Sequence, residues 1–169
     1  MSFLRNPSKR AISIIAHHHR NKRLSAIGRF FQGSPKYTAY LDSGEFVSRH
    51  IANYQTKVFS LGGMQDVNQP TTINGSDFIK AKKRLNSMDF IGLTEEFHES
   101  VRLFESLTGV KLAKEQSLNK SKKYDVPDEV LERIKKLNQY DEELYQIARE
   151  KFDSLKAMYA RYLSSPDGL

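Results

Sequence analysis

Cysteine is absent from this chain of 169 residues, and long apolar runs are absent as well. Without cysteine the chain can form neither a disulfide framework nor a thiolate metal site. No apolar run approaches the roughly 20 residues that a membrane-spanning helix needs, and the short run from Ala11 to Ala16 lacks the flanks of a signal peptide. We therefore expect a cytoplasmic protein without a membrane span, with one domain at residues 1–163 and a polar tail at 164–169.

Acidic residues are missing from the first 41 positions, and the first carboxylate in the chain is that of Asp42. The same stretch carries these cations: Arg5, Lys9, Arg10, Arg20, Lys22, Arg23, Arg29 and Lys36. Its net charge is +8, and since the whole chain carries +7, the remaining residues sum to −1. A local positive field attracts phosphates, sulfates and polyanions, and the alternative is a solvated basic surface.

Hydrophobic periodicity predicts many helices and only two short strands. Residues 1–5 form a candidate strand, and Pro7 is well placed to open a helix that runs to about His19 or beyond, because its missing N–H costs nothing in the first turn. The apolar run Met88–Leu93 is a second candidate strand, followed at once by a helix start at Thr94. A strand that leads directly into a capped helix is typical of α/β folds, so we expect a helix-rich α/β protein.

Two apolar stripes predict further helices and their buried faces. One predicts a single helix that starts near Asp42 and ends at Gly62–Gly63, with this stripe: Val47, Ile51, Tyr54 and Val58. The other predicts a helix stopped by Gly109, with these buried positions: Phe97, Val101, Phe104 and Leu107 or Thr108. Two later helices are predicted to start at Pro127 and Asp141.

Arg5 and Ser13 are the first candidate site residues. Arg5 lies in the predicted strand-to-helix turn, where a helix N-terminus offers free N–H donors to a phosphate. Ser13 lies two turns into the helix, at spacings that let it share a face with Lys9 and Arg10, and His17 follows one turn later. A guanidinium, a hydroxyl and a neighbouring cation suit a phosphate monoester. The spacing alone also fits a surface arginine and an ordinary helical serine.

Three consecutive histidines, His17 to His19, invite a metal site. Consecutive residues of a helix point about 100° apart, because a turn takes about 3.6 residues. The three rings therefore cannot ligate one ion, and we expect no metal.

Four segments resemble, in order, the PAPS-dependent sulfotransferases, which use 3′-phosphoadenosine 5′-phosphosulfate (PAPS). "LRNPSKRAIS" is similar to their Arg-x-Pro-x-x-Arg-x-x-Ser segment, and "NYQTKVFSLGG" to the Asn-x-Gln-Thr segment of carbohydrate sulfotransferases. "MDFIGLTEEFHESVRLFESLTG" resembles the family's strand-turn-helix, and "DEELYQIAREKF" its closing helix. Together they span about residues 3–152, and the heparan sulfate 2-O-sulfotransferase-like members are the most similar.

The resemblance implies a fold, a co-substrate and site residues. It implies part of a P-loop-NTPase-like sulfotransferase domain that binds PAPS or its product PAP and, as a second partner, a carbohydrate acceptor. Arg5 and Ser13 would bind the 3′-phosphate of the nucleotide. Lys122 and Lys123 would belong to a basic loop that closes over it.

The chain also departs from the family pattern. The family's Pro-Lys-Thr loop, which holds the 5′-phosphosulfate and the catalytic lysine, precedes the Arg…Ser segment, whereas only four residues precede Arg5 here. We therefore expect an N-terminally incomplete domain, identify no catalytic residue and leave its activity open. The alternative is a non-catalytic helical module that binds nucleic acid or another polyanion through the first 41 residues. Nucleic acid is not the expected partner, because the aromatic residues are placed as core rather than among the cations.

Overall fold

The computed structural model describes residues 2–24, 36–62, 67–112 and 125–164, with the backbone alone at 21–24 and 162–164. Its strands are β1 (Ser2–Leu4) and β2 (Ile91–Leu93). Its α-helices are α1 (Pro7–Leu24), α2 (Tyr37–Asp42), α3 (Gly44–Phe46), α4 (Tyr54–Leu61), α5 (Gly75–Asn86), α6 (Phe97–Thr108), α7 (Asp128–Leu137) and α8 (Gln139–Ser164). A π-helical turn at Val47–Ile51 and a 3₁₀ turn at Thr94–Glu96 complete the regular structure.

The two strands pair in parallel; β2 is buried along its whole length, and in β1 Leu4 is buried while Ser2 and Phe3 are half-buried. Leu4 lies beside Leu93, and Phe3 lies beside Gly92. A Cβ atom on Gly92 would lie 2.5 Å from the Phe3 ring, so only glycine allows this approach. The protein is therefore helix-rich with a small parallel sheet, which confirms the coarse α/β prediction and both strand positions.

Two hydrophobic clusters build the core. The first surrounds the sheet and is formed mainly by α5, α6 and α8, with Leu4, Leu85, Ile91, Leu93, Leu144, Ala148 and Phe152 fully buried. The second lies under α1 and joins it to α2, the π-helical turn and α7, with these members: Ala11, Ile15, Tyr37, Tyr40, Leu41, Ile51, Val130 and Ile134. The buried stripe of α1 therefore binds this helix to the second cluster, and its opposite face is turned away from the core.

The prediction of a single helix between Asp42 and Gly62 is wrong, since the helical conformation is interrupted at Asn53. Asn53 adopts a left-handed conformation with φ of 45°, and the backbone before it forms the π-helical turn. A new helix, α4, starts at Tyr54 and ends at Gly62, whose φ of 71° closes it as predicted. The predicted apolar stripe ran through this break, but Ile51 is the one of its four members that is buried. On α4 the buried apolar residue is Phe59, which the stripe left out.

The buried face of α6 also differs from its prediction. Ser100 and Leu103 are its buried residues, whereas Leu107 is 41% exposed. The Ser100 hydroxyl accepts a hydrogen bond from the Leu93 N–H at 3.0 Å, which ties α6 to the outer edge of β2. A buried serine carries no apolar signal, so the predicted stripe was displaced from the true face.

None of the described helices combines the length and the apolar character that crossing a membrane requires.

Candidate functional site

The junction between β1 and α1 carries Arg5 and begins the helix that carries Ser13, the two residues predicted to bind the 3′-phosphate. Asn6 caps α1, because its side-chain Oδ1 accepts the Lys9 N–H at 3.0 Å. Pro7 has no N–H, and the Asn6 N–H donates to the Glu95 carboxylate at 3.1 and 3.2 Å. The donors expected at this helix start are therefore largely engaged, so an anion here would depend on side chains.

Arg5 is held through its backbone. Its N–H donates to Oε1 of Gln55 at 2.9 Å, and its C=O accepts from Nε2 of the same carboxamide at 2.8 Å. Within the described residues, no hydrogen bond or ion pair engages the Arg5 guanidinium, which is partly exposed. The peptide is fixed, and the charged end of the side chain remains available.

The outer face of α1 consists of Lys9, Ser13 and His17, spaced four residues apart. Lys9 and His17 are exposed and Ser13 is partly exposed, whereas Ala11 and Ile15 on the opposite face are buried. In the described part of the chain, the Lys9 ammonium and the Ser13 hydroxyl have no hydrogen-bond partner. The predicted shared face of Lys9, Ser13 and His17 is thus present on α1.

Arg10 turns inward instead. Its guanidinium lies 3.7 Å from the centre of the Tyr54 ring and donates to the His50 carbonyl at 2.8 Å. Burial lowers the pKa of Arg10 from its ordinary value, an effect that the Asp141 carboxylate opposes. Arg10 therefore fastens α1 to the segment around Asn53, and we leave it out of the proposed anion site.

The starts of α4 and α8 cap each other through a group that we call the Asn53 network: the half-buried Asn53 with the buried Gln55, Asn138 and Asp141. Asp141, fully buried, accepts the N–H groups of Gln55 at 2.9 Å and Thr56 at 2.7 Å. Asn53 Oδ1 accepts the N–H groups of Tyr140 and Asp141 at 3.0 and 3.3 Å. Asn138 Oδ1 accepts the Asn53 N–H at 3.1 Å. An asparagine suits position 53 because it tolerates the left-handed backbone and its own Oδ1 caps the start of α8.

Burying the charge of Asp141 inside this network is costly, and the N–H donors around the carboxylate offset that cost. Burial raises the pKa of Asp141 above its ordinary value, while the N–H groups of Thr56 and Gln55 act in the opposite direction. A carboxylate that accepts two N–H groups at a helix start is also stabilised by the positive end of the helix dipole. Asp141 therefore serves as a structural cap.

Glu95 supports the other side of the junction. Besides the Asn6 N–H, its carboxylate accepts the Tyr145 phenol at 3.0 Å. Burial and, after it, the Glu95 charge raise the pKa of Tyr145 to about 12. The Glu95 side chain thus ties the start of α1 to α8.

Histidines pack around a small aromatic group next to α1. The His18 and His50 rings lie 5.0 Å apart, and each lies near Phe46. Burial and then the His18 charge lower the pKa of His50. No group of three potential ligands for a metal ion occurs among the residues described.

Two predicted nucleotide ligands, Lys122 and Lys123, lie outside the described residues. Of the predicted tail, Ser164 ends α8 and residues 165–169 lie outside the described part too.

Sequence patterns assigned no role to the Gln55 or Asn53 side chains, and placed Asp141 only at the start of a helix, in whose first turn it lies. Their partners lie 50 to 88 positions away along the chain, so periodicity within one helix cannot reveal them. The one available signal was the polar Asn-x-Gln-Thr segment at the start of α4, which begins two residues after the buried Ile51.

Comparison with known proteins adds no family assignment. No protein-family model matches this chain, and a search of curated proteins finds no match to it.

Proposed function

We propose that this chain is part of a PAPS-dependent carbohydrate sulfotransferase and that it binds the 3′-phosphate of the nucleotide. Arg5 and Ser13 would hold that phosphate, with Lys9 and His17 beside it and Lys122 and Lys123 closing over the nucleotide. In the complete enzyme PAPS would supply the sulfuryl group to a carbohydrate hydroxyl. We also propose that β1, α1 and β2 belong to a P-loop-NTPase-like parallel sheet.

One observation carries the proposal: a fixed Arg5 peptide beside an unpaired Arg5 guanidinium. Most arginines that a fold uses structurally have their guanidinium engaged, as Arg10 does with the Tyr54 ring and the His50 carbonyl. Arg5 differs, because the fold secures its backbone at both N–H and C=O and leaves its charge without a partner among the described residues. A rigidly mounted cation with no internal partner suits an external anion.

The position of Ser13 agrees with this function. It lies on the face of α1 opposite Ala11 and Ile15, and six residues after Pro7 it stands about 9 Å along the helix axis. Its hydroxyl can donate to a phosphate oxygen, and Lys9 one turn earlier adds positive charge. This chain contributes binding and orientation at the 3′ end of the nucleotide, and we assign no residue of it to the chemical step.

The proposal is tested by comparing two nucleotides that differ in one phosphate. We expect the chain to bind adenosine 3′,5′-bisphosphate more tightly than adenosine 5′-monophosphate in isothermal titration calorimetry. Arg5→Ala should weaken binding of the bisphosphate by about tenfold or more, and Ser13→Ala by about fivefold, because charged hydrogen bonds contribute more than neutral ones. The matched control is Arg102→Ala, which removes an exposed arginine of α6.

The polyanion alternative predicts a different pattern. A basic surface would bind oligonucleotides with an affinity that rises with length and falls steeply with salt, and it would be indifferent to Ser13→Ala. Equal affinity for the two adenosine nucleotides, together with that salt dependence, would reject the sulfotransferase proposal in favour of the polyanion module.

A further inference from the structure

We propose that Gln55 is a positioning residue that sets the Arg5 guanidinium for anion binding; this inference rests on the proposed function. Gln55 is buried, lies on a different helix from the candidate ligands and approaches Arg5 only through the backbone. It would act on the ligand through Arg5 and make no contact with it.

The contact between Gln55 and Arg5 resembles the pairing of two β-strands, with the Gln55 side chain in place of the second strand. The Gln55 carboxamide takes both hydrogen-bonding groups of the Arg5 backbone, at 2.9 and 2.8 Å. Because an N–H can only donate and a C=O can only accept, this pair also fixes which end of the carboxamide is oxygen. The residue directly after β1 is therefore held at a single orientation.

Gln55 is itself anchored to the core of the protein. Its backbone N–H donates to Asp141 Oδ2 at 2.9 Å, in the fully buried part of the Asn53 network. On the neighbouring peptide, Glu95 accepts the Asn6 N–H. Two consecutive peptides, Arg5 and Asn6, are thus held by buried or half-buried side chains from α4 and the 3₁₀ turn at Thr94–Glu96.

This arrangement matters for binding because a long arginine side chain loses rotamer freedom when it grips an anion. Fixing the peptide reduces the number of orientations that must be lost on binding, so the affinity rises without a new contact. A solvated surface arginine would have no need of a peptide fixed in this way. The inference therefore predicts that the benefit of Gln55 disappears when the Arg5 guanidinium is removed.

The experiment is a double-mutant cycle of Gln55→Met and Arg5→Ala, with affinity for adenosine 3′,5′-bisphosphate as the readout. We expect Gln55→Met to weaken binding by about fivefold to tenfold in the chain that keeps Arg5, and by less than about twofold in the Arg5→Ala background. Gln55→Glu, which keeps an acceptor for the Arg5 N–H but no donor for its C=O, should show the same dependence on Arg5. Gln146→Met, at an exposed position of α8, is the matched control and should leave affinity unchanged.

The outcomes separate this inference from the proposed function. If the unaltered chain prefers the bisphosphate but both Gln55 variants bind it normally, or lose the same factor in both backgrounds, the positioning role is refuted and the proposed function stands. If the unaltered chain shows no preference for the 3′-phosphate, both fall together. Where Gln55→Met fails to show the circular dichroism of the folded chain, the Gln55→Glu arm of the cycle decides by the same criteria.

Discussion

The Asn53 network and the outer face of α1 lie on either side of the same junction, and they use polar side chains in opposite ways. In the network the polar groups engage each other: Asp141 accepts two N–H groups, and Asn53 and Asn138 cap neighbouring turns. On the outer face, the Lys9 ammonium and the Ser13 hydroxyl have no hydrogen-bond partner among the described residues. Arg5 combines both uses, because Gln55 of the network holds its peptide, whereas its guanidinium has no partner among the described residues.

The difference teaches which polar residues serve the fold and which are available for a ligand. A buried polar group without a partner costs about 1–3 kcal/mol, so a fold retains such groups inside only when they are paired. An exposed cation costs nothing when it is unpaired. Mutations in the network should therefore change the free energy of unfolding, whereas mutations on the outer face should change affinity and leave stability nearly unaltered.

The largest expected effect belongs to Asp141. Asp141→Ala leaves the Gln55 and Thr56 N–H groups buried without an acceptor and should lower the free energy of unfolding by about 3 kcal/mol. The measurement is urea denaturation followed by circular dichroism at neutral pH. Glu143→Ala, at an exposed position two residues further along α8, should change stability by less than about 0.5 kcal/mol. Equal losses for the two variants would show that the network does not stabilise the fold.

Arg10 and Lys9 give the sharpest contrast between neighbouring cations. Arg10→Ala removes the stack on Tyr54 and the bond to the His50 carbonyl, and should cost about 2 kcal/mol. Lys9→Ala should cost less than about 0.5 kcal/mol, and should weaken bisphosphate binding instead. Arg10→Lys should recover little of the loss, because an ammonium lacks the planar face that stacks on the ring. Thermal and urea unfolding of the three variants checks this, and a stability loss in Lys9→Ala as large as in Arg10→Ala would contradict it.

The smallest expected effect concerns the half-exposed ion pairs at the start of α6. The Lys156 ammonium donates to Glu96 at 2.9 Å, and this contact lowers the pKa of Glu96 from its ordinary 4.5. A carboxyl with a lowered folded-state pKa stabilises the fold above its unfolded pKa, and this stability is lost as the pH falls through the folded value.

Glu96→Gln should therefore cost about 0.5 kcal/mol at neutral pH and nothing once the solution is acidic enough to protonate Glu96 in both states. Urea denaturation of both chains across this acidic range measures the difference. A difference that stays constant or grows toward acid would contradict the assigned role of the pair.

Local patterns predicted the parts of this fold that neighbours in sequence determine. The two strands, the start of α1 at Pro7 and the glycine ends of α4 and α6 follow from backbone preferences, and the structure confirms them. The break at Asn53 did not follow, because its left-handed backbone is stabilised by Asn138 and by the start of α8, 85 to 88 positions away. The exposed Leu107 has a related cause, since the buried position of α6 is a serine that bonds to β2.

The candidate site likewise has features that local sequence predicts and features that depend on residues distant in sequence. The common face of Lys9, Ser13 and His17 follows from helical spacing and could be predicted. The inward turn of Arg10 could not, because it depends on the Tyr54 ring and on a carbonyl of the π-helical turn. The hold of Gln55 on the Arg5 peptide likewise joins residues that are 50 positions apart.

The central claim is that Arg5 and Ser13 together bind the 3′-phosphate of an adenine nucleotide, and amide chemical-shift mapping tests it most directly. The unaltered chain, labelled with ¹⁵N, is titrated with adenosine 3′,5′-bisphosphate, and adenosine 5′-monophosphate is the reference. We predict that the largest shifts specific to the bisphosphate lie between Arg5 and Ser13, on β1's end and the first two turns of α1. Shifts that are the same for both nucleotides, or that spread over the basic residues without a maximum in this segment, would contradict the claim.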